Sequence, residues 1–431
     1  LYPVLDDLLS DWFARARPVF DGIRVAGNAL TPASYTIKDF LASNQVPYQW
    51  LDVETDPAAR ELVSANGDAA RLPAVFFPDG STLYQPTLHE LAEKVGLQTR
   101  ARAPFYDLIV VGGGPAGLAG AVYGASEGLR TVIIERNAPG GQAGTSSSIE
   151  NYLGFPGGVS GADLARRAVA QAKRFGAEII TAREVVEIRR EDPYRKVILA
   201  DGSELTGYAI LIAPGMEVRR LEADGLDDFL GAGVYYGAAL TEAATYRGCD
   251  VLVVGGANSA GQGAMFFSRH ARKVTMLLRG PDLSASMSRY LVDRIHETPN
   301  VEVMANKRVT AVRGNGRLEA VKVVDTITGE ERELAASAMF IFIGSAPRTA
   351  LCADLVMRDP QGFVLTGLDV MAGGRRPAGW REARDPFLFE TNVPGVFCAG
   401  DARHGSGKRV AAAVGEGSAT VGMIHQYLQT V

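Results

Sequence analysis

Cysteine is almost missing from this chain: Cys249, Cys352 and Cys398 are the three in 431 residues. They stand too far apart in sequence for a disulfide framework or a clustered metal site. Cys249 and Cys398 sit at or beside apolar strands, where a thiol behaves as a small buried hydrophobe. Long apolar runs are missing as well. No stretch approaches the roughly 20 residues of a membrane span, and no signal peptide is visible, so the cytoplasm is the expected compartment. Neither charge sign dominates, with 44 Lys and Arg against 49 Asp and Glu and a net charge of -5. That balance excludes general attraction to nucleic acid or to a membrane surface. The short pairs Arg166-Arg167, Arg189-Arg190, Arg219-Arg220 and Arg375-Arg376 read as solvated faces. The length suggests about three domains, each able to bury a core. The chain begins at Leu1 rather than Met, as a fragment or a processed chain would.

What is present is organised around one stretch, Tyr106 to Gly117, in which an apolar strand runs through Gly112-Gly113-Gly114-Pro115-Ala116-Gly117 into a helix. Gly112 allows a tight turn, Gly114 lets backbone amides approach a pyrophosphate, and Gly117 lets helix and strand pack closely. The helix N-terminus adds partial positive charge. The next strand, Thr131 to Glu135, ends in a carboxylate where a ribose hydroxyl needs an acceptor. A lone glycine triplet is weak evidence. Strand, triplet, small-residue helix and acidic strand end in order predict a dinucleotide cradle.

Before it lies a small α/β unit. Strands are predicted at Ile23–Ala26 and Tyr48–Val53, helices at Ala33–Ser43, Pro57–Ala65 and Thr87–Val95, and a hairpin of Ala74–Phe77 with Thr82–Tyr84 about Pro78-Asp79-Gly80. An amphipathic helix is predicted ahead of it, ending before Pro18. The unit resembles a thioredoxin or glutaredoxin domain, with Leu72-Pro73-Ala74 standing where that fold keeps a cis-proline. Its redox pair would fall at Thr31 and Ser34. Both sulfurs are missing, and a hydroxyl cannot cycle through a disulfide. A scaffold or docking role is expected. Gln98 to Pro104 is the expected linker.

After the cradle come Gly140-Gly141-Gln142 and Ile149 to Pro156, then a helix over 162–176, strands near 178–188 and 196–200, and a buried strand ending at Pro214-Gly215. A second unit of strand, glycine turn and small-residue helix occupies Asp250 to Ala260 and includes Gly255, Gly256, Asn258, Ser259 and Ala260. Ala257 stands at its middle glycine position. The following strand ends at Arg279 rather than at a carboxylate, which favours a nucleotide with a 2'-phosphate. A solvated strand end is the plain alternative, so NADH stays open beside NADPH. Near the C-terminus stands Gly395 to Asp401, followed by His404 in a polar loop and a helix opened by Arg409-Val410-Ala411.

From residue 105 onward these motifs resemble the thioredoxin reductase branch of the two-dinucleotide flavoproteins. The resemblance implies FAD in the first cradle and a nicotinamide in the second. It places Gly141, Gln142 and Asn151 along the flavin, gives Gly400-Asp401 the ribityl chain, and sets Arg409, Val410 and Ala411 against the flavin pyrimidine. His404 is the histidine nearest this motif. It is a candidate proton donor, and otherwise a polar loop residue without catalytic duty. The family's Cys-x-x-Cys pair would precede the second cradle, where the sequence reads Gly233 to Glu242 without cysteine. The polar loop 367–386, longer than the family needs, reads as a tolerated surface insertion.

The expected fold class is α/β, a thioredoxin-like domain followed by two Rossmann-like domains of thioredoxin reductase type. The expected boundaries are 1–100 for the first domain, 101–217 with 338–431 for FAD, and 218–337 for NAD(P)H. The whole resembles the reductase part of bacterial proteins in which a response-regulator receiver precedes such a module, and the receiver is absent from this chain. The expected function is electron transfer from NAD(P)H through FAD to a non-disulfide acceptor: a quinone or other small molecule, dioxygen, or a ferredoxin-like protein. A homodimer is expected from the resemblance, and no metal. The alternative is a regulatory module that binds the nucleotides with little turnover.

Overall fold

The computed structural model describes residues 21–28, 31–66, 71–146, 149, 151–236 and 246–431. The helix expected over 2–17, and residues 237–245 of the segment where a cysteine pair would lie, fall outside the described residues. The chain divides into two compact units, 1–87 and 88–431.

In the first unit, β1 (Ile23–Gly27), α1 (Pro32–Ser43), β2 (Tyr48–Asp52), α2 (Pro57–Asn66), β3 (Ala74–Phe76) and β4 (Thr82–Tyr84) follow in sequence. The sheet order is β2-β1-β3-β4, with β1 parallel to β2 and antiparallel to β3. Thr31 caps α1, its hydroxyl accepting from Ser34 N–H at 3.3 Å, and Pro32 follows at the position that needs no amide donor. Ile37, Phe40 and Leu41 lie on the buried face at helical spacing. The expected hairpin turn is present. Asp79 accepts from Ser81 N–H at 2.9 Å, and Gly80 supplies a φ of +83°.

The second unit opens with α3 (Leu88–Lys94). Its first sheet uses β5 (Phe105–Val111), β6 (Thr131–Glu135), β7 (Glu178–Thr181), β8 (Val185–Glu191), β9 (Tyr194–Leu199), β10 (Glu204–Ile212) and, much later, β21 (Val396–Cys398). The order is β7-β6-β5-β10-β9-β8, with β5, β6, β7, β10 and β21 mutually parallel along their pairings. One edge of β10 is shared: Glu204 to Gly207 pair with β9 and Ile210 to Ile212 with β21. Leu108 and Val110 of β5 pack on one side of the sheet, Ile109 and Val111 on the other. Side chains this fully buried contribute about 1.5–3 kcal/mol each. The helices α4 (Pro115–Ser126), α5 (Gly141–Gly144), α6 (Gly161–Arg174) and α9 (Val410–Leu428) surround it. The strand expected over 178–188 is broken, because Ala182 takes a φ of +57° and turns the chain from β7 into β8. The start of Gln98 to Pro104, read as linker, is bonded into this unit: Thr181 N–H donates to Gln98 O at 2.8 Å, and Arg183 Nε to Thr99 O at 2.8 Å.

The second sheet is all parallel in the order β12-β19-β13-β14-β15, formed by β12 (Val234–Tyr236), β13 (Asp250–Val254), β14 (Lys273–Leu277), β15 (Val301–Met304) and β19 (Ala338–Ile341). The helices α7 (Asn258–Phe267) and α8 (Arg289–His296) accompany it, and β16 (Lys307–Gly314), β17 (Leu318–Asp325) and β18 (Glu331–Ala335) form an antiparallel sheet. Both passages of the chain between the two parallel regions run through one antiparallel ribbon of β11 (Met216–Val218) and β20 (Ser345–Pro347). Among the described residues no helix is long and apolar enough to cross a membrane.

Candidate functional site

The first cradle follows from two steric facts. Gly112 has a φ of +102°, and a Cβ there would lie 2.3 Å from Ala213 O. A Cβ on Gly117 would lie 1.9 Å from Gly112 O. Only glycine lets the strand turn under the crossover and the helix sit on the turn. Gly114 is different. It caps α4 without a side-chain bond, and a Cβ there would meet nothing within 4 Å. The space before the helix N-terminus is therefore open, and unbonded first-turn amides border it. Pro115 occupies the first helical position and Ala116 is buried behind it.

Glu135 at the end of β6 lies beside this turn. Its carboxylate accepts from Gly113 N–H at 2.7 Å and from Asn137 N–H at 2.8 Å. Burial pushes its carboxyl up from the ordinary range against these bonds and the nearby Arg136 and Arg348. Gly141 touches the cradle from the other side, since its Cβ would come 3.1 Å from Gly114 Cα. The Gln142 amide donates to Met216 O in the ribbon at 2.8 Å. Asn151 is exposed.

The C-terminal motif reaches the same place through small residues. A Cβ on Gly400 would lie 2.9 Å from Ala116 Cβ, and one on Gly417 would lie 2.1 Å from Ala116 O. Asp401, next to Gly400, and α9 at Gly417 are thus brought against the first cradle. Burial raises the Asp401 carboxyl, while Lys408, whose ammonium bonds to Asp401 O, lowers it. Arg409 caps α9 without a side-chain bond, leaving the amides of Val410 and Ala411 in an uncapped first turn. Ser406 Oγ in the intervening loop is buried without a hydrogen-bond partner among the described residues. The open space before α4, its uncapped helix start and the acidic end of β6 beside the turn fit a bound dinucleotide with a pyrophosphate.

The second cradle repeats the geometry with differences. Gly255 has a φ of +138°, and a Cβ there would lie 2.3 Å from Phe342 O. Ala257 caps α7 without a side-chain bond, and Ala260 is buried where the first cradle has Gly117. Asn258 Oδ1 accepts from Ser288 N–H at 2.8 Å, and Ser286 Oγ donates to Gly256 O at 3.0 Å, so the segment before α8 is tied to the turn. Ser259 is exposed. Arg279 is exposed past the end of β14 and has no hydrogen bond or ion pair among the described residues, whereas Arg289 is held by Asp293 at 3.2 Å.

Cys352 and Cys398 share one core of the first sheet, with thiols pushed up by burial, Cys352 to about 12. Neither is available as a thiolate. His404 Nδ1 lies 2.8 Å from Asp359 Oδ2. Sequence reasoning did not find Glu416, which accepts from Gly400 N–H at 2.7 Å and pairs with Arg403 at 2.7 Å. Nor did it find that loop 367–386 is anchored. Arg384 lies on the fully buried Glu390 at 2.9 Å and stacks on Phe387 with 3.8 Å to the ring centroid. Neither pair has a local pattern that would announce it.

Among known proteins, the pyridine nucleotide-disulphide oxidoreductase family profile matches residues 106–417. The thioredoxin reductase of Bacillus subtilis (strain 168) is 33% identical over 325 residues, covering 75% of this chain and 95% of the relative. That of Treponema pallidum (strain Nichols) is 34% identical over 326 residues, covering 76% and 98%. The crystal structure of Lactococcus lactis thioredoxin reductase, FR conformation, superposes with a TM-score of 0.63 at 27% identity, covering 76% of this chain and all of that one. Thioredoxin reductase-type members of the family use FAD and NADPH, and the two cradles fit those groups. A mixed α/β fold with two dinucleotide sites, matched in sequence over most of its length, makes this chain a member of the pyridine nucleotide-disulphide oxidoreductase family.

Proposed function

We propose that the protein is an FAD-dependent NAD(P)H oxidoreductase whose acceptor is not a protein disulfide. The carrying observation is chemical. Both nucleotide cradles are built, yet the sequence has no Cys-x-x-Cys, and Cys352 and Cys398 are buried with raised thiols. When bound, FAD supplies the means to take two electrons from a reduced nicotinamide and to pass them on. The chain supplies position and electrostatics. Gly112, Gly114 and Gly117 with the start of α4 hold the pyrophosphate, Glu135 holds the ribose, and Gly141, Gln142 and Asn151 lie along the ring system. Gly400 and Asp401 take the ribityl chain, and the amides at Val410 and Ala411 stabilise negative charge on the pyrimidine side. In the second cradle Gly255, Gly256, Asn258, Ser259 and Ala260 hold the nicotinamide nucleotide. Arg279, without a partner among the described residues, binds a 2'-phosphate, which makes NADPH the preferred donor over NADH.

The acceptor belongs to the set of quinones, other small molecules, dioxygen and ferredoxin-like proteins. The division 1–100, 101–217 with 338–431, and 218–337 gives each region one task, the first a scaffold or docking role in a cytoplasmic homodimer. Anaerobic mixing with NADPH tests the reading. Rapid loss of flavin absorbance supports it, and no loss at saturating NADPH removes it in favour of a nucleotide-binding regulatory module. The hydroxyl pair Thr31 and Ser34, 2.8 Å apart where a redox pair would sit, is the observation that favours that second reading.

A further inference from the structure

Between Asp401 and α9 the chain forms a loop fixed at several points. Gly400 N–H and the Arg403 guanidinium meet at Glu416 of α9, and His404 N–H donates to Val364 O at 2.8 Å. On this backbone the imidazole is held at one nitrogen, Nδ1 lying 2.8 Å from Asp359 Oδ2. Asp359 is itself fixed, its Oδ1 accepting from Gln361 and Phe363 N–H at 2.9 Å each. Burial acts to raise the Asp359 carboxyl, but the bonds from His404 and the two amides outweigh it and hold it below its ordinary range. Of the other basic groups on this loop, Arg403 is engaged with Glu416, the Lys408 ammonium with Asp401 O and the Phe363 ring, and Arg409 with Lys408 O at 3.4 Å. The His404 side chain is 46% exposed, and its Nε2 has no partner among the described residues.

An imidazole fixed at Nδ1 by a carboxylate, with Nε2 left open three residues after Asp401, has the form of a proton-delivering group. We propose that His404, oriented by Asp359, delivers the proton that a quinone-type acceptor takes up when it is reduced at this site. The inference rests on the oxidoreductase reading and narrows its acceptor class. The balance is NAD(P)H plus quinone plus one proton giving NAD(P)+ plus hydroquinone. Two electrons and one proton originate in the nicotinamide hydride. The second proton leaves Nε2 of the His404 imidazolium for a quinone oxygen, the ring keeps its Nδ1 proton towards Asp359, and Nε2 is reprotonated from water. His404 is the catalytic residue and Asp359 the positioning residue.

The test compares two acceptors on the FAD-loaded protein with NADPH as donor: a water-soluble benzoquinone, which needs protons, and ferricyanide, which takes electrons alone. In His404→Ala the ratio of quinone to ferricyanide rates falls on the order of 100-fold, and added imidazole restores part of it. Asp359→Asn gives a smaller fall. In the wild-type protein, nitrogen NMR of the histidine rings finds the His404 proton on Nδ1. An unchanged rate ratio in His404→Ala, or the opposite tautomer, overturns the inference while leaving the oxidoreductase reading intact. Failure of the wild-type protein to reduce either acceptor overturns both.

Discussion

Gly114→Ala separates folding from cofactor binding at the first cradle. The backbone there has a φ of -73° and a ψ of -174°, ordinary for any residue, and the added methyl meets no protein atom within 4 Å. The cost to the empty protein is that of a weaker helix cap, below about 1 kcal/mol. The same methyl points into the space assigned to the pyrophosphate. A methyl forced into a close contact costs about 1–3 kcal/mol, or roughly 5- to 150-fold in Kd. Flavin fluorescence quenching on titration into the apoprotein reads that loss, and thermal melts of the same apoprotein read the fold. Gly117→Ala is the contrasting variant. Its methyl would stand 1.9 Å from Gly112 O, so it destabilises the apoprotein itself, by about 3 kcal/mol or more. A Gly114→Ala protein that binds FAD with wild-type affinity would refute the assignment of that space. An apoprotein melted by the same substitution would refute the reading of the space as open.

Arg384→Ala leaves the carboxylate of Glu390 buried with, among the described residues, only the backbone amides of Phe387 and Gly395 as partners, and is expected to cost about 3–5 kcal/mol in urea melts. Lys307 and the amides of Thr328 and Ile327 hold the Asp325 carboxyl well below its ordinary range. The stability this confers is complete above the unfolded carboxylate value of about 3.9 and is lost as pH falls towards the lower folded value. Lys307→Met therefore loses less stability than wild type between neutral pH and pH about 3; equal losses would show that the pair contributes nothing. Alkylation of the native protein near pH 8 is expected to spare Cys352 and Cys398, whose thiols are raised by burial, and unfolding in denaturant exposes both. Fast native labelling at either, read by peptide mass, would contradict the burial described.

The cradles were legible because their chemistry is local. Gly112, Gly114, Gly117 and Glu135 lie within one strand, turn, helix and strand, and Gly117 answers to a contact with Gly112 in the same turn. The hairpin at Pro78-Asp79-Gly80 was legible for the same reason. The break at Ala182 was not, since nothing in the side chain signals a positive φ. Glu390 and Arg384 sit six residues apart in an irregular loop, and Glu416 meets Gly400 across a turn and a helix. Such pairings have no period to detect. Nor was the bond from the Gln142 amide to Met216 O in the ribbon legible, since the two lie far apart in sequence.

That ribbon has a mechanical meaning. Because β11 and β20 are paired at Met216 with Pro347, Glu217 with Ala346 and Val218 with Ser345, the outward and returning strands behave as a single torsion bar rather than two independent tethers. Twisting it strains three side-chain ties together: Gln142 to Met216 O at 2.8 Å, Arg348 to Glu184 at 3.2 Å and Arg348 to Glu217 at 3.5 Å. Two of these three ties are ionic and partly open to solvent, so added salt loosens the bar while leaving its backbone pairing intact.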